Sequence, residues 1–109
     1  MARLSTEFWV KAYLNRLRLA GIPGFVVARG DAVAGAVIVK LSTLDGRAES
    51  FQRSFDPEGS RVWVTLLKGR DKDVEASLQK QRQFDRDIWI IEVEDNAGRH
   101  LLDEPGLSD

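Results

Sequence analysis

The hydrophobic residues of this chain change period at residue 21, and that change decides the fold class. Before it, Val10, Tyr13, Leu14, Leu17 and Ala20 recur at helical spacing, with Glu7, Lys11, Asn15 and Arg18 on the opposite face. Ser5 or Thr6 can cap this segment with a hydroxyl, Glu7 lies near its positive end, and Arg16 and Arg18 lie near its negative end. The spacing predicts a helix over residues 5–20, stopped by Gly21-Ile22-Pro23-Gly24. After the stop, short stretches rich in β-branched residues alternate with glycine, aspartate and proline. Residues 25–29, 36–44, 48–55 and 61–67 read as strands.

A second helix is expected over residues 71–84. Asp71, Asp73 and Glu75 open it and Lys80 and Arg82 close it, which matches the helix dipole; Val74, Leu78 and Phe84 are its apolar contacts. Residues 88–94 form a last strong strand, 99–102 can pair back after Asn96-Ala97-Gly98, and 103–109 are expected to fray. The order is αββββαβ, with one more short strand if 99–102 pairs. Short turns predict a meander among the first four strands, hence an α+β fold with two helices on a mostly antiparallel sheet of about five strands. The link through the second helix is long enough for a parallel crossover, which would make the sheet mixed.

A chain of 109 residues holds one domain. At 43% hydrophobic and 30% charged residues it has the composition of a folded protein, not a disordered one. The absence of cysteine excludes disulfides, thiolate metal sites and cysteine nucleophiles, and suits a reducing cytoplasm. Glu7, Lys11, Arg16 and Arg18 interrupt the N-terminal segment, so it reads as neither a signal peptide nor a membrane span. A net charge of −1 speaks against a dedicated nucleic-acid coat.

The residues that could carry chemistry form no established motif. The order of elements invites comparison with restriction-endonuclease-like cores, which need hairpin carboxylates and a lysine two residues after one acid. Lys40 stands on such a strand, but Ile38 is two before it, and Glu49 is followed by Ser50 and Phe51. Glu92 and Glu94, with Asp95, His100, Asp103 and Glu104 nearby, offer oxygens for a hard metal but nothing that fixes their geometry. His100 has no serine or cysteine partner at recognisable spacing, and the Gly30–Gly35 stretch lacks the pattern of a phosphate loop. No cofactor and no metal are therefore expected. Trp9, Trp63 and Trp89 suit a small core better than a base-stacking surface. Lys80, Arg82 and Arg86 make a modest basic cluster, the basis of an alternative reading as a weak nucleic-acid binder.

One surface is harder to set aside. Asp45-Gly46 can form a two-residue hairpin turn, which pairs Lys40 with Phe51 and Ile38 with Arg53. Val37, Val39 and Leu41 then lie opposite Ser50, Gln52 and Ser54 on one face, ready for a helix. The other face mixes Ile38, Phe51 and Phe55 with Lys40, Glu49 and Arg53. Aromatic and arginine side chains together are the composition of an interface core. The expectation is a non-catalytic protein-interaction module, meeting a partner or a second copy of itself through Ile38, Lys40, Phe51, Arg53 and Phe55 or through a free strand edge. A metal-dependent nuclease or hydrolase using Glu92 and Glu94 is the enzymatic alternative.

Five phrases also resemble a known family: RLSTEFWVKAYLNRLRLAGIP (3–23), GDAVAGAVIVKL (30–41), FQRSFD (51–56), FDRDIWIIEVED (84–95) and GRHLLDEPG (98–106). They are similar to a group of short alphaproteobacterial proteins, the DUF1491-like domain of unknown function. The resemblance spans nearly the whole chain and implies a bacterial, cytoplasmic protein folding as a domain by itself. It implies no activity, cofactor or catalytic residue.

Overall fold

The computed structural model describes residues 4–108. Arg3, the first residue of the first quoted phrase, and Asp109, the last of the tail, lie outside the described residues. The elements are α1 (Thr6–Leu19), β1 (Gly24–Ala28), β2 (Val37–Ser42), β3 (Arg47–Phe55), β4 (Arg61–Arg70), α2 (Asp71–Phe84) and β5 (Trp89–Glu94). The order αββββαβ stands as expected, and the sheet is mixed and mostly antiparallel: β2 and β5 run parallel, and the other three pairs antiparallel. Residues 99–102 form no strand.

The strands lie in the order β1-β5-β2-β3-β4, so the meander covers only β2, β3 and β4. β5 separates β1 from β2, and its composition explains why. Trp89, Ile90, Ile91 and Val93 are all buried, two faces of one strand at once, and a strand with two apolar faces needs a central place. β1, exposed over Phe25, Val26 and Val27, tolerates the edge. The loop between β1 and β2 is not a tight turn but a clamp on the chain before β5. The Asp31 N–H donates to the Asp87 carbonyl at 3.0 Å. A Cβ on Gly35 would stand 2.3 Å from that same oxygen, so only glycine allows the approach.

One helix covers each face. Val10, Tyr13 and Leu17 of α1 pack on Val37, Val39, Leu41, Ile91 and Val93. On the other face Val74 and Leu78 of α2 pack on Ile38, Ala48, Ile88 and Ile90. α1 is capped as its sequence suggests, with Ser5 Oγ accepting from the Phe8 N–H. Leu14 is only half-buried and Ala20 is exposed. Phe84 is 85% exposed, because the stripe set by Val74 and Leu78 next reaches Gln81 and Arg82.

The hairpin between β2 and β3 differs from its expected register by one residue. Lys40 pairs with Ser50, Val39 with Phe51 and Ile38 with Gln52. Three residues, not two, make the loop: the Thr43 N–H donates to the Arg47 carbonyl, and positive φ falls at Leu44 (63°) and Gly46 (86°). Asp45 draws this loop together by accepting from the Thr43 hydroxyl and the Arg47 N–H. A one-residue slip sends every side chain of one strand to the opposite face. Here it buries the Phe51 ring beside Val39 under α1 and leaves the small Ala48 and Ser50 beneath α2.

The tail expected to fray is packed. Leu107 of this tail is 2% exposed and, like Leu102 just before the tail, belongs to the core under α1. Tyr13 ties the chain just before them, donating its hydroxyl to the His100 carbonyl at 2.8 Å, and burial pushes the pKa of that phenol up.

Candidate functional site

The slip divides the five residues expected to share one surface. Phe51 is buried, with its ring 4.8 Å from that of His100. Arg53 lies on the same side of the sheet as Phe51, where its guanidinium stacks on Trp63 at 4.6 Å and donates to the carbonyls of Leu107 and Ser108. Ile38 and Lys40 are on the α2 side, buried. Phe55, at the far end of β3, is 62% exposed. The single mixed face does not exist.

Lys40 instead centres a polar cluster. Its ammonium donates to Asp71 (2.9 Å) and Glu75 (3.0 Å), one turn apart at the start of α2, and to Glu92 (3.4 Å), its register partner on β5. Burial works against the Lys40 charge, but its hydrogen bonds to Asp71 and Glu75 and the nearby carboxylate charges outweigh it and hold its pKa above the ordinary value. Glu75 is held below the usual carboxylate range by Gln79 and by Lys40. Glu92 moves the other way: burial raises it, Lys40 opposes, and Glu94 adds to the rise. Three acids share one cation, and the deepest and most distant of them is the least well served. No motif announces this cluster, yet a lysine between Val39 and Leu41 on a strand must find carboxylates if it is buried.

The other candidate residues are scattered. Arg82 is spent on the fold, donating to the carbonyls of Ile88 (2.9 Å) and Arg29 (2.7 Å), while Lys80 and Arg86 stand exposed beside it. Asp95 accepts three bonds from Arg99, which lowers its pKa. His100 Nδ1 accepts from the Leu102 N–H, and Glu104 pairs with Arg16. Among the described residues no three acidic or histidine side chains are arranged to hold a metal ion. The carboxylates at Lys40 meet around an ammonium.

The two sheet edges differ in kind. β4 carries Arg61, Lys68 and Arg70, the charged side chains that discourage a further strand. β1, with the sequence GFVVA, has no charge, and Phe25, Val26 and Val27 are 45%, 40% and 46% exposed. Beside it an open groove runs between α1 and the start of β1, lined by Leu14, Ile22 and Pro23 with Lys11 and Arg18 at its rim. No helix among the described residues is long and apolar enough to cross a membrane.

The sequence matches, over residues 4–103, the family model described as a protein of unknown function, DUF1491. The fold is similar to the crystal structure of a DUF1491 family protein from Caulobacter crescentus, with a TM-score of 0.85 and 38% identity over 94% of this chain and 98% of that one. An NMR structure of a DUF1491 family protein from the same organism gives a TM-score of 0.82 and 37% identity over 96% and 97% of the two chains. A solution structure from A. tumefaciens gives 0.71 and 29% over 85% and 86%. No curated protein matches the sequence.

Proposed function

The chain belongs to the DUF1491 family, whose description assigns no activity, and from that premise we propose that it is a non-catalytic interaction module of the bacterial cytoplasm. Its partner is a protein that adds an extended segment to the open edge of β1. The observation that carries this reading is the contrast between the two edges. An uncharged edge with three exposed apolar side chains offers unpaired backbone groups to a new strand, and the pairing supplies affinity while alternate side chains supply selectivity. Lys11 and Arg18 at the rim of the adjoining groove favour a partner segment with acidic residues flanking its apolar ones. A second copy pairing β1 to β1 is less well suited. Five residues a side bury too little for a stable dimer, and neither edge brings acids to the other's groove.

The test compares the wild-type chain with Val27→Lys in capture from the native host, with amide exchange read on the captured complex. The charge should abolish capture while leaving thermal unfolding unchanged, and the amides of β1 should be protected only in the wild-type complex. Equal capture by both chains, or unchanged exchange in β1, would refute the strand-addition reading. Concentration-dependent dimerisation with β1 protection would assign the edge to self-association instead.

A further inference from the structure

The sheet face under α1 carries an aromatic–arginine cluster, apart from the β1 edge. Trp63 on β4 and Trp9 on α1 approach with ring centroids 5.5 Å apart, and Arg53 lies over both rings, at 4.6 Å from Trp63 and 5.9 Å from Trp9. Against this cluster lies the segment Glu104-Pro105-Gly106-Leu107-Ser108. Its contacts are those of a bound peptide. Arg53 donates to two consecutive carbonyls, Leu107 (2.9 Å) and Ser108 (2.7 Å), and the Trp63 indole donates to Leu107 as well (3.0 Å). Arg16 holds the other end through the Glu104 carboxylate (3.0 Å) and the Pro105 carbonyl (3.3 Å). Leu107 is the one buried side chain of the five. The segment belongs to no strand; the N–H groups of Leu107 and Ser108 donate to the Glu104 carbonyl, and that of Glu104 donates to the Leu101 carbonyl.

We propose that Trp9, Arg53, Trp63 and Arg16 form a peptide-binding site, occupied here in cis by residues 104–108. The ligand class is an acidic segment of a partner protein with one leucine, presenting two successive carbonyls to the arginine fork. Two observations support exchange with such a ligand. Among the described residues, the hydrogen bonds given above to the segment read main-chain oxygens apart from that to the Glu104 carboxylate, so the site accepts other sequences of the same shape. The cis occupant also leaves a donor unused: the buried indole N–H of Trp9 has no acceptor among the described residues. A ligand with an acceptor there gains a hydrogen bond that the cis segment does not make.

The probe is a synthetic peptide, DEPGLS, carrying residues 103–108, and binding is followed on the indole N–H resonances of Trp9 and Trp63. Leu107→Ala in the full chain weakens the cis occupant. The peptide should then bind at least about tenfold more tightly than it binds the wild-type chain, where the tethered segment competes at high effective concentration. Adding Arg53→Ala, or changing leucine to alanine in the peptide, should abolish binding. Equal binding to both chains, or to neither, overturns the proposal. Hydrogen exchange on the wild-type chain gives a reading that does not depend on any variant folding. The Trp63 indole should exchange by local release of the segment, about tenfold or more faster than the Trp89 indole, which donates to the Asp31 carbonyl inside the fold. Exchange of both at one global rate would show that the segment is an inseparable part of the domain.

Discussion

Replacing Lys40 by methionine isolates the charge at the centre of the structure, because the new side chain keeps the length and apolar stem of the old one. The variant leaves Asp71, Glu75 and Glu92 facing one another without a cation. Removing one partner of a buried ion pair costs about 3–5 kcal/mol. Lys40 and Glu92 fit that description, with side chains 5% and 21% exposed, but Asp71 and Glu75 are each 38% exposed and can turn toward water. Solvent screening of those two lowers the expected loss to about 2–3 kcal/mol at neutral pH. Glu92→Gln, by contrast, removes a carboxyl whose ionised form burial already disfavours, and should change stability by less than about 1 kcal/mol.

The pH dependence gives the sharper test. Glu75 has a folded pKa below its ordinary 4.5, so its contribution is present above that value and lost as pH falls through the folded one. Lys40 is raised above 10.5, so its contribution is complete below that value and lost as pH rises through the folded one. Glu92 is raised, so its ionisation costs stability, and the cost disappears as it protonates on acidification. The difference between wild type and Lys40→Met should therefore be largest on the plateau between these limits and shrink as pH falls below 4.5 through the folded value of Glu75. Urea unfolding across that range measures it. A loss below about 0.5 kcal/mol at neutral pH, or one that stays constant into acid, would refute the cluster as an electrostatic tie between α2 and the sheet.

Leu17→Ala should cost about 2–5 kcal/mol in the same assay, since its side chain is 1% exposed within the core under α1. Gly35→Ala should cost about 1–3 kcal/mol, because its Cβ would meet the Asp87 carbonyl oxygen at 2.3 Å and that backbone already accepts from Asp31. Phe51→Ala and Phe55→Ala should separate clearly, the first costing about 3–5 kcal/mol and the second within about 0.5 kcal/mol, which checks the hairpin register by stability alone.

Much of the fold was legible because its signals are local. The caps and dipole charges of α1 act within one turn, as do the acids at the start of α2. Both helices begin within a residue of where those signals put them. The neighbour of β1 was not legible. Its strand partner is β5, more than sixty residues away, and only the two-faced burial of β5 tells that it must be central. The tail failed for a similar reason. Proline and glycine at 105 and 106 read as fraying, while the grip on the segment comes from Arg16, Arg53 and Trp63, far away in the chain.

The hairpin shows how a correct local signal can mislead a functional reading. Asp45-Gly46 does mark the turn, but Leu44 joins it in the left-handed region, and the loop gains one residue. Parity then carries the error along the strands. With a two-residue loop Lys40 and Phe51 would share a face. With three residues Lys40 turns toward the acids that open α2, and Phe51 and Arg53 turn toward α1 and the tail. Of the aromatic and arginine residues that suggested an interface, Arg53 donates to the chain's own Leu107 and Ser108, Phe51 packs beside His100, and Phe55 stays exposed. The Arg53 contact and the buried lysine cluster have one origin: each exists because the loop after Thr43 holds an odd number of residues.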